Sequence, residues 1–152
     1  MPDLRTELLF EIRADLGEVQ EVGATPAGFR RVRLVKGGVV SGPKLAAEVL
    51  PGGGDWLLIR GDGVRALDVR ITFRADDGHL VYAAAEGLLA ISPETFARVL
   101  AGEDVDPSEY YFRTTPRFET ASEKYAWLNR VVAVSVGRFT AAAVYQTVYA
   151  VL

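Results

Sequence analysis

Two aspartate-glycine turns constrain this chain more than any other feature. Gly61-Asp62-Gly63 separates residues 56–60 from 66–74, and Asp76-Asp77-Gly78 separates 66–74 from 80–85. Such pairs between runs of alternating apolar and polar residues signal hairpins, because glycine enters positive φ without a Cβ clash. The two turns together propose a three-stranded antiparallel meander. They leave little room for the long crossovers that a parallel sheet requires.

The rest of the chain has the same texture. Residues 8–12 and 29–35 read as strands, Gly37-Gly38 reads as a tight turn, and Val39-Val40 opens a further strand. Residues 44–50 form another run that ends at Pro51-Gly52-Gly53-Gly54, where proline removes a ladder donor and a corner is expected. Residues 110–114, 127–136 and 143–152 are again strand-like. One helix has both ends marked: Ser92 as cap, Pro93 at the first position, Phe96, Val99 and Leu100 on one face, and Gly102 to close it. The expected fold is mainly β, a single antiparallel β-barrel domain over residues 1–152 with one short helix. A two-sheet sandwich is the alternative, and closure, which removes vulnerable edges, favours the barrel.

Composition excludes several classes. With 49% hydrophobic residues and 24% charged, the chain is too apolar for disorder, and the lack of cysteine rules out a disulfide scaffold or a thiolate zinc site. The net charge of −3 argues against nucleic acid or an anionic membrane as partner. Charged residues interrupt the apolar amino terminus, so no export signal is read and the expected location is the cytoplasm. Gly52-Gly53-Gly54 lacks the spacing of a phosphate loop.

Four stretches carry a resemblance: Thr25-Pro26 followed by Gly28-Phe29-Arg30-Arg31; residues 50–56, Leu-Pro-Gly-Gly-Gly-Asp-Trp; residues 110–120, Tyr-Tyr-Phe-Arg-Thr-Thr-Pro-Arg-Phe-Glu-Thr; and residues 125–130, Tyr-Ala-Trp-Leu-Asn-Arg. In that order they resemble the bacterial and fungal DUF3237 family, from about Leu8 to the carboxyl end. The resemblance implies an antiparallel barrel similar to allene oxide cyclase that assembles as an oligomer. It also implies a precedent among fungal relatives for cofactor-free ring closure on small molecules. It carries no catalytic residue onto this sequence, and fold precedent does not transfer a substrate.

The residues themselves supply candidates. Asp55 follows three glycines beside Trp56, where an apolar neighbour would raise its pKa into the range for proton exchange; the alternative is a turn-capping carboxylate. In residues 67–74, Leu67, Val69, Ile71 and Phe73 share one face, while Asp68, Arg70, Thr72 and Arg74 share the other, and either face could line the interior. Arg113 and Glu119 have the same strand parity, as a catalytic pair or as a bracing ion pair. The expected catalytic set is Asp55 or Glu119 to move a proton and Arg70 or Arg113 to steady a developing oxyanion, with Trp56, Tyr82, Trp127 and Asn129 lining the ligand.

His79, the single histidine, reads as an exposed turn residue, and the cluster Arg30, Arg31 and Arg33 reads as a solvated strand face. No cofactor and no metal is expected. Three functions remain: a cofactor-independent isomerase, cyclase or lyase; a carrier of a hydrophobic small molecule; and a structural oligomer with a packed interior. Self-association as a dimer or larger homo-oligomer is expected through apolar late strands that include Val144, Val148 and Val151.

Overall fold

The computed structural model describes residues 2–152. Its nine strands are β1 (Thr6–Thr25), β2 (Gly28–Ser41), β3 (Ala47–Val49), β4 (Gly54–Ile59), β5 (Arg65–Ala75), β6 (Leu80–Ala90), β7 (Tyr111–Thr120), β8 (Ala133–Phe139) and β9 (Ala143–Val151). Every pairing between them is antiparallel. The sheet runs from β5 through β9 to β1, and the β1–β2 and β4–β5 pairings close it into a ring. Strands β3 and β4 share one place in that ring, since each bridges β2 and β5: β4 pairs along Phe29 to Leu34, and β3 along Gly38 to Val40. The Pro51-Gly52-Gly53 corner divides them. No helix among the described residues is long and apolar enough to cross a membrane.

The meander forms as its turns dictate, with β5 and β6 paired from Arg65↔Leu89 to Arg74↔Leu80. The helix α1 (Pro93–Leu100) also forms as expected: Ser92 Oγ accepts from Thr95 N, and Gly102 follows with positive φ. Four local readings are corrected. Gly37-Gly38 is no turn; β2 runs straight through it, and both glycines take φ near +150°. A Cβ on Gly38 would collide with the Arg13 carbonyl of β1, so glycine here permits two strands to approach. The hairpin lies earlier, at Pro26-Ala27, where Thr25 Oγ1 accepts from Ala27 N and donates to Gly28 O. Residues 44–50 contribute only the three-residue β3, and residues 126–130 form a 3₁₀ turn rather than a strand. Val148 is fully buried, so it offers nothing to a partner; Val144 and Val151 are partly covered.

Closure sorts the two faces of each strand. Leu67, Ile71 and Phe73 are buried inside, whereas Arg70 and Arg74 point out. One end of the interior is filled by Phe10, Phe73 and Phe118, whose rings meet edge to face at centroid separations of 6.4, 5.6 and 6.4 Å. The other end is covered by α1 and the loop after it, where Val99 and Val105 pack on Leu57, Leu67, Leu89 and Phe112.

A polar latch ties the β5–β6 turn to the 3₁₀ segment beside the phenylalanine end. Ser122 donates to Asp77, and Tyr125 and Lys124 donate to Asp76. Asp77 also pairs with exposed His79 at 3.3 Å. The Tyr125 hydroxyl holds the Asp76 carboxyl, and the Ser122 hydroxyl the Asp77 carboxyl, below the ordinary 3.8. Depressed carboxyl values stabilise the folded state above the unfolded value and cease to do so as pH falls through the folded one. The latch is therefore expected to loosen in acid. Hydrogen exchange at the Tyr125 amide, which donates to Ser122 Oγ, should accelerate as pH falls below 3.8, beyond the change intrinsic to the amide. In the Asp76→Asn, Asp77→Asn double variant that extra acceleration should vanish. Its persistence would show that these carboxylates do not govern the latch.

Candidate functional site

Between the two packed ends lies a cavity of about 170 Å³. It exists because inward positions there are small, Ala14 on β1 and Ala83 and Ala85 on β6, while exposed Ala141, in the loop after β8, stands at its rim. Its wall is mostly apolar, with Val69, Ile71, Leu89, Phe112 and Val148 around it and Phe96 and Leu100 of α1 over one end.

Asp55 is the carboxylate of this cavity. The β4 register sets it beside Arg33 of β2 and Val69 of β5, and Val69 in turn lies beside Ala85. One oxygen accepts from the Asp68 amide at 3.1 Å. Burial among apolar neighbours raises its pKa from 3.8 to about 6, against the lowering effect of that hydrogen bond. Asp55 thus gives one oxygen to a backbone amide of neighbouring β5 rather than capping its own corner, and burial lifts its pKa toward neutrality.

Three arginines face inward with it. Arg31, Arg33 and Arg65 all line the cavity, which overturns the reading of Arg31 and Arg33 as a solvated strand face. Alternation put them on one face; ring closure made that face the inner one. The Nε atoms of Arg31 and Arg33 are buried without a hydrogen-bond partner. Arg31 pairs with Glu21 at 3.0 Å, Arg33 reaches the Ala141 carbonyl at 3.5 Å, and the Arg65 guanidinium lies 4.1 Å from the centre of the Phe96 ring. Desolvation and the nearby Arg31 charge hold Arg33 and Arg65 below their ordinary value. On another part of the wall, Thr114, Ser135 and Gln146 form a hydrogen-bonded chain, with Ser135 Oγ 2.6 Å from Gln146 Oε1.

The other expected residues lie outside this cavity. Arg70, Tyr82, Glu119 and Asn129 do gather, along an open groove on the outer face of β5, β6 and β7. There Arg70 reaches the Tyr82 hydroxyl at 3.4 Å, and Glu119 stands opposite Tyr82 across the strands. The groove is wet: the Arg70 side chain is 59% exposed. Asn129 spends its amide on the backbone N and O of Thr120. Trp56 and Arg113 line a neighbouring outer groove, with Arg113 bonded to the Phe112 carbonyl and set over the Tyr111 ring. Trp127 packs partly buried against the phenylalanine end. Arg113 and Glu119 share a strand face as expected, but form no ion pair among the described residues.

The DUF3237 family, described as proteins of unknown function, matches residues 4–151. A UPF0311 protein of Rhodopseudomonas palustris is 39% identical over 127 residues, which cover 84% of this chain and 83% of that one. The crystal structure of a conserved protein of unknown function from Rhodopseudomonas palustris superposes with a TM-score of 0.92 at 36% identity, covering all of both chains. PR-toxin biosynthesis cluster protein 7 of Penicillium roqueforti is 29% identical over 140 residues, 78% of this chain and 74% of that one.

Proposed function

The chain belongs to the DUF3237 family, and from that premise we propose that its barrel is a cofactor-independent acid–base enzyme acting on a small molecule inside the cavity. The observation that carries this reading is Asp55, a carboxyl raised to about 6 in an apolar chamber that also receives unpartnered guanidinium nitrogen. A base works best when its pKa lies near the working pH, and a buried cation stabilises an oxyanion far better than one in water. Ionised Asp55 takes a proton from a carbon beside a carbonyl, and the electron pair moves onto the carbonyl oxygen. An inward arginine holds that charge. Returning the proton at another carbon completes an isomerisation, and expulsion of a leaving group instead completes an elimination. A relative named for a toxin biosynthesis cluster is in keeping with small-molecule chemistry.

The cavity limits size. At about 170 Å³ it falls below the roughly 300 Å³ of a drug-sized site and is near the engineered 150 Å³ cavity that holds benzene. The substrate is then a single ring or a chain of comparable bulk. The test is deuterium incorporation from D₂O into a panel of small ketones and keto acids, followed by NMR. Exchange at the carbon beside the carbonyl is expected, with a rate that climbs as pH rises through about 6 and Asp55 ionises. Binding without exchange across the panel would leave a carrier and overturn the enzyme.

A further inference from the structure

We propose that Arg31, Arg33 and Arg65 form a clamp for the carboxylate of a small acid whose apolar body lies among Val69, Ala83 and Ala85. The inference rests on the acid–base reading of the cavity and names the class of substrate it takes. Its first support is charge. Three arginines line one chamber, two of them with buried Nε atoms, and its single lining carboxylate, Asp55, is bonded to a backbone amide and forms no ion pair among the described residues. Glu21, half exposed and the cross-strand neighbour of Arg31 on the same face, offsets Arg31, while Arg33 and Arg65 have no acidic partner among the described residues.

The second support is hydrogen bonding. Buried N–H groups are nearly always paired, because an unpaired one keeps its full desolvation penalty, and a charged one more so. Two such orphans, on Arg31 and Arg33, lie two residues apart on the same inner face of β2. A planar guanidinium presents Nε–H and Nη–H in a fork that matches the two oxygens of a carboxylate. A neutral ligand would leave the charge uncompensated.

The third support is the position of the arginines relative to the base. Arg33 is directly opposite Asp55 in the β2–β4 register, and Arg65 stacks under Phe96 at the helix-covered end. A carboxylate held by the arginines places the carbon next to it toward Asp55, and the charge released when that carbon loses its proton flows onto oxygens already clamped. The proton goes to Asp55 and the electron pair to the substrate, so no other reactant is required. Small residues at Ala83 and Ala85 leave room for the hydrocarbon body and nothing polar to greet it.

The experiment is calorimetric titration of the intact protein with benzoate, benzyl alcohol and phenyl phosphate, which share one apolar body and differ in headgroup. Benzoate is expected to bind at least ten times more tightly than benzyl alcohol, and less tightly as salt rises. Arg33→Gln should weaken benzoate at least tenfold and leave benzyl alcohol unchanged, with Arg33→Lys in between. Ala85→Leu, which fills the body site, should abolish both; circular dichroism checks that each variant is folded. Equal affinity for benzoate and benzyl alcohol, or benzoate binding indifferent to Arg33→Gln, overturns the clamp, and tighter binding of phenyl phosphate overturns its assignment to carboxylate. Asp55→Asn separates this inference from the proposed reaction, since it should retain or tighten benzoate binding while carbon exchange is lost. Exchange on neutral ketones with no benzoate preference would sink the clamp alone.

Discussion

Asp55→Asn is expected to lower proton exchange into substrate by about 10²–10⁴-fold while making the protein more stable at neutral pH. The two effects have one origin. Asparagine keeps an oxygen for the Asp68 amide but cannot accept a proton from carbon. The stability change follows from the raised pKa. A carboxyl that is harder to ionise in the folded state contributes its stability below the unfolded value of 3.8, and that contribution is lost as pH rises through about 6. At neutral pH the buried charge is a net cost of roughly 2–3 kcal/mol, at about 1.4 kcal/mol per pKa unit. Urea unfolding of both proteins at pH 5 and pH 8 checks this: the variant's advantage should be larger at pH 8. A variant less stable than the parent at pH 8 would make Asp55 a structural brace, and unchanged exchange would remove it from the chemistry.

Phe73→Ala should produce a large loss of stability. Phe73 is fully buried, and its ring meets those of Phe10 and Phe118 edge to face. Deleting it removes the transfer energy of the ring, leaves a void that strands on all sides cannot close, and breaks two aromatic contacts. Phenylalanine truncations of this kind cost about 3–5 kcal/mol. For a chain of this length that corresponds to a fall in Tm of roughly 6–20 °C. Phe73→Leu should recover most of it, because the void is then partly filled. If Phe73→Ala costs no more than a surface substitution, the phenylalanine cluster is not the anchor of the interior.

How far the sequence speaks for the structure differs from element to element. The β5–β6 hairpin and α1 were legible because their signals are local: an Asp-Gly turn, a serine cap, a proline in the first turn. The family resemblance and the barrel were legible too. Gly37-Gly38 misled because two adjacent glycines serve equally for a turn and for the close approach of two strands, and the partner that decides between them, Arg13, lies far away in sequence. The site was half legible. Asp55 beside three glycines could be singled out, but the other candidates lie outside the cavity: Arg70, Tyr82, Glu119 and Asn129 gather along one outer groove, Trp56 and Arg113 line another, and Trp127 packs at the phenylalanine end.

Arg31 and Arg33 were missed for a physical reason: alternation assigns residues to a face, and only closure decides which face is inside. On β2 the rule that apolar residues turn inward fails, since Val32 and Leu34 lie on the other face from the two arginines. A local breach of that rule is what a binding site looks like from within a β-strand.

The pairing of β1 with β9 governs how the chain comes into being. Residues as early as Glu7 find their partners only at Ala150. On a ribosome that adds about 5–20 residues per second, the first strand therefore waits for several seconds to half a minute with an unsatisfied edge. Until the last strand emerges no cavity exists, and Arg31, Arg33 and Asp55 face open water. The newborn chain is thus an incomplete ring whose greatest hazard is a neighbouring nascent chain offering the wrong strand.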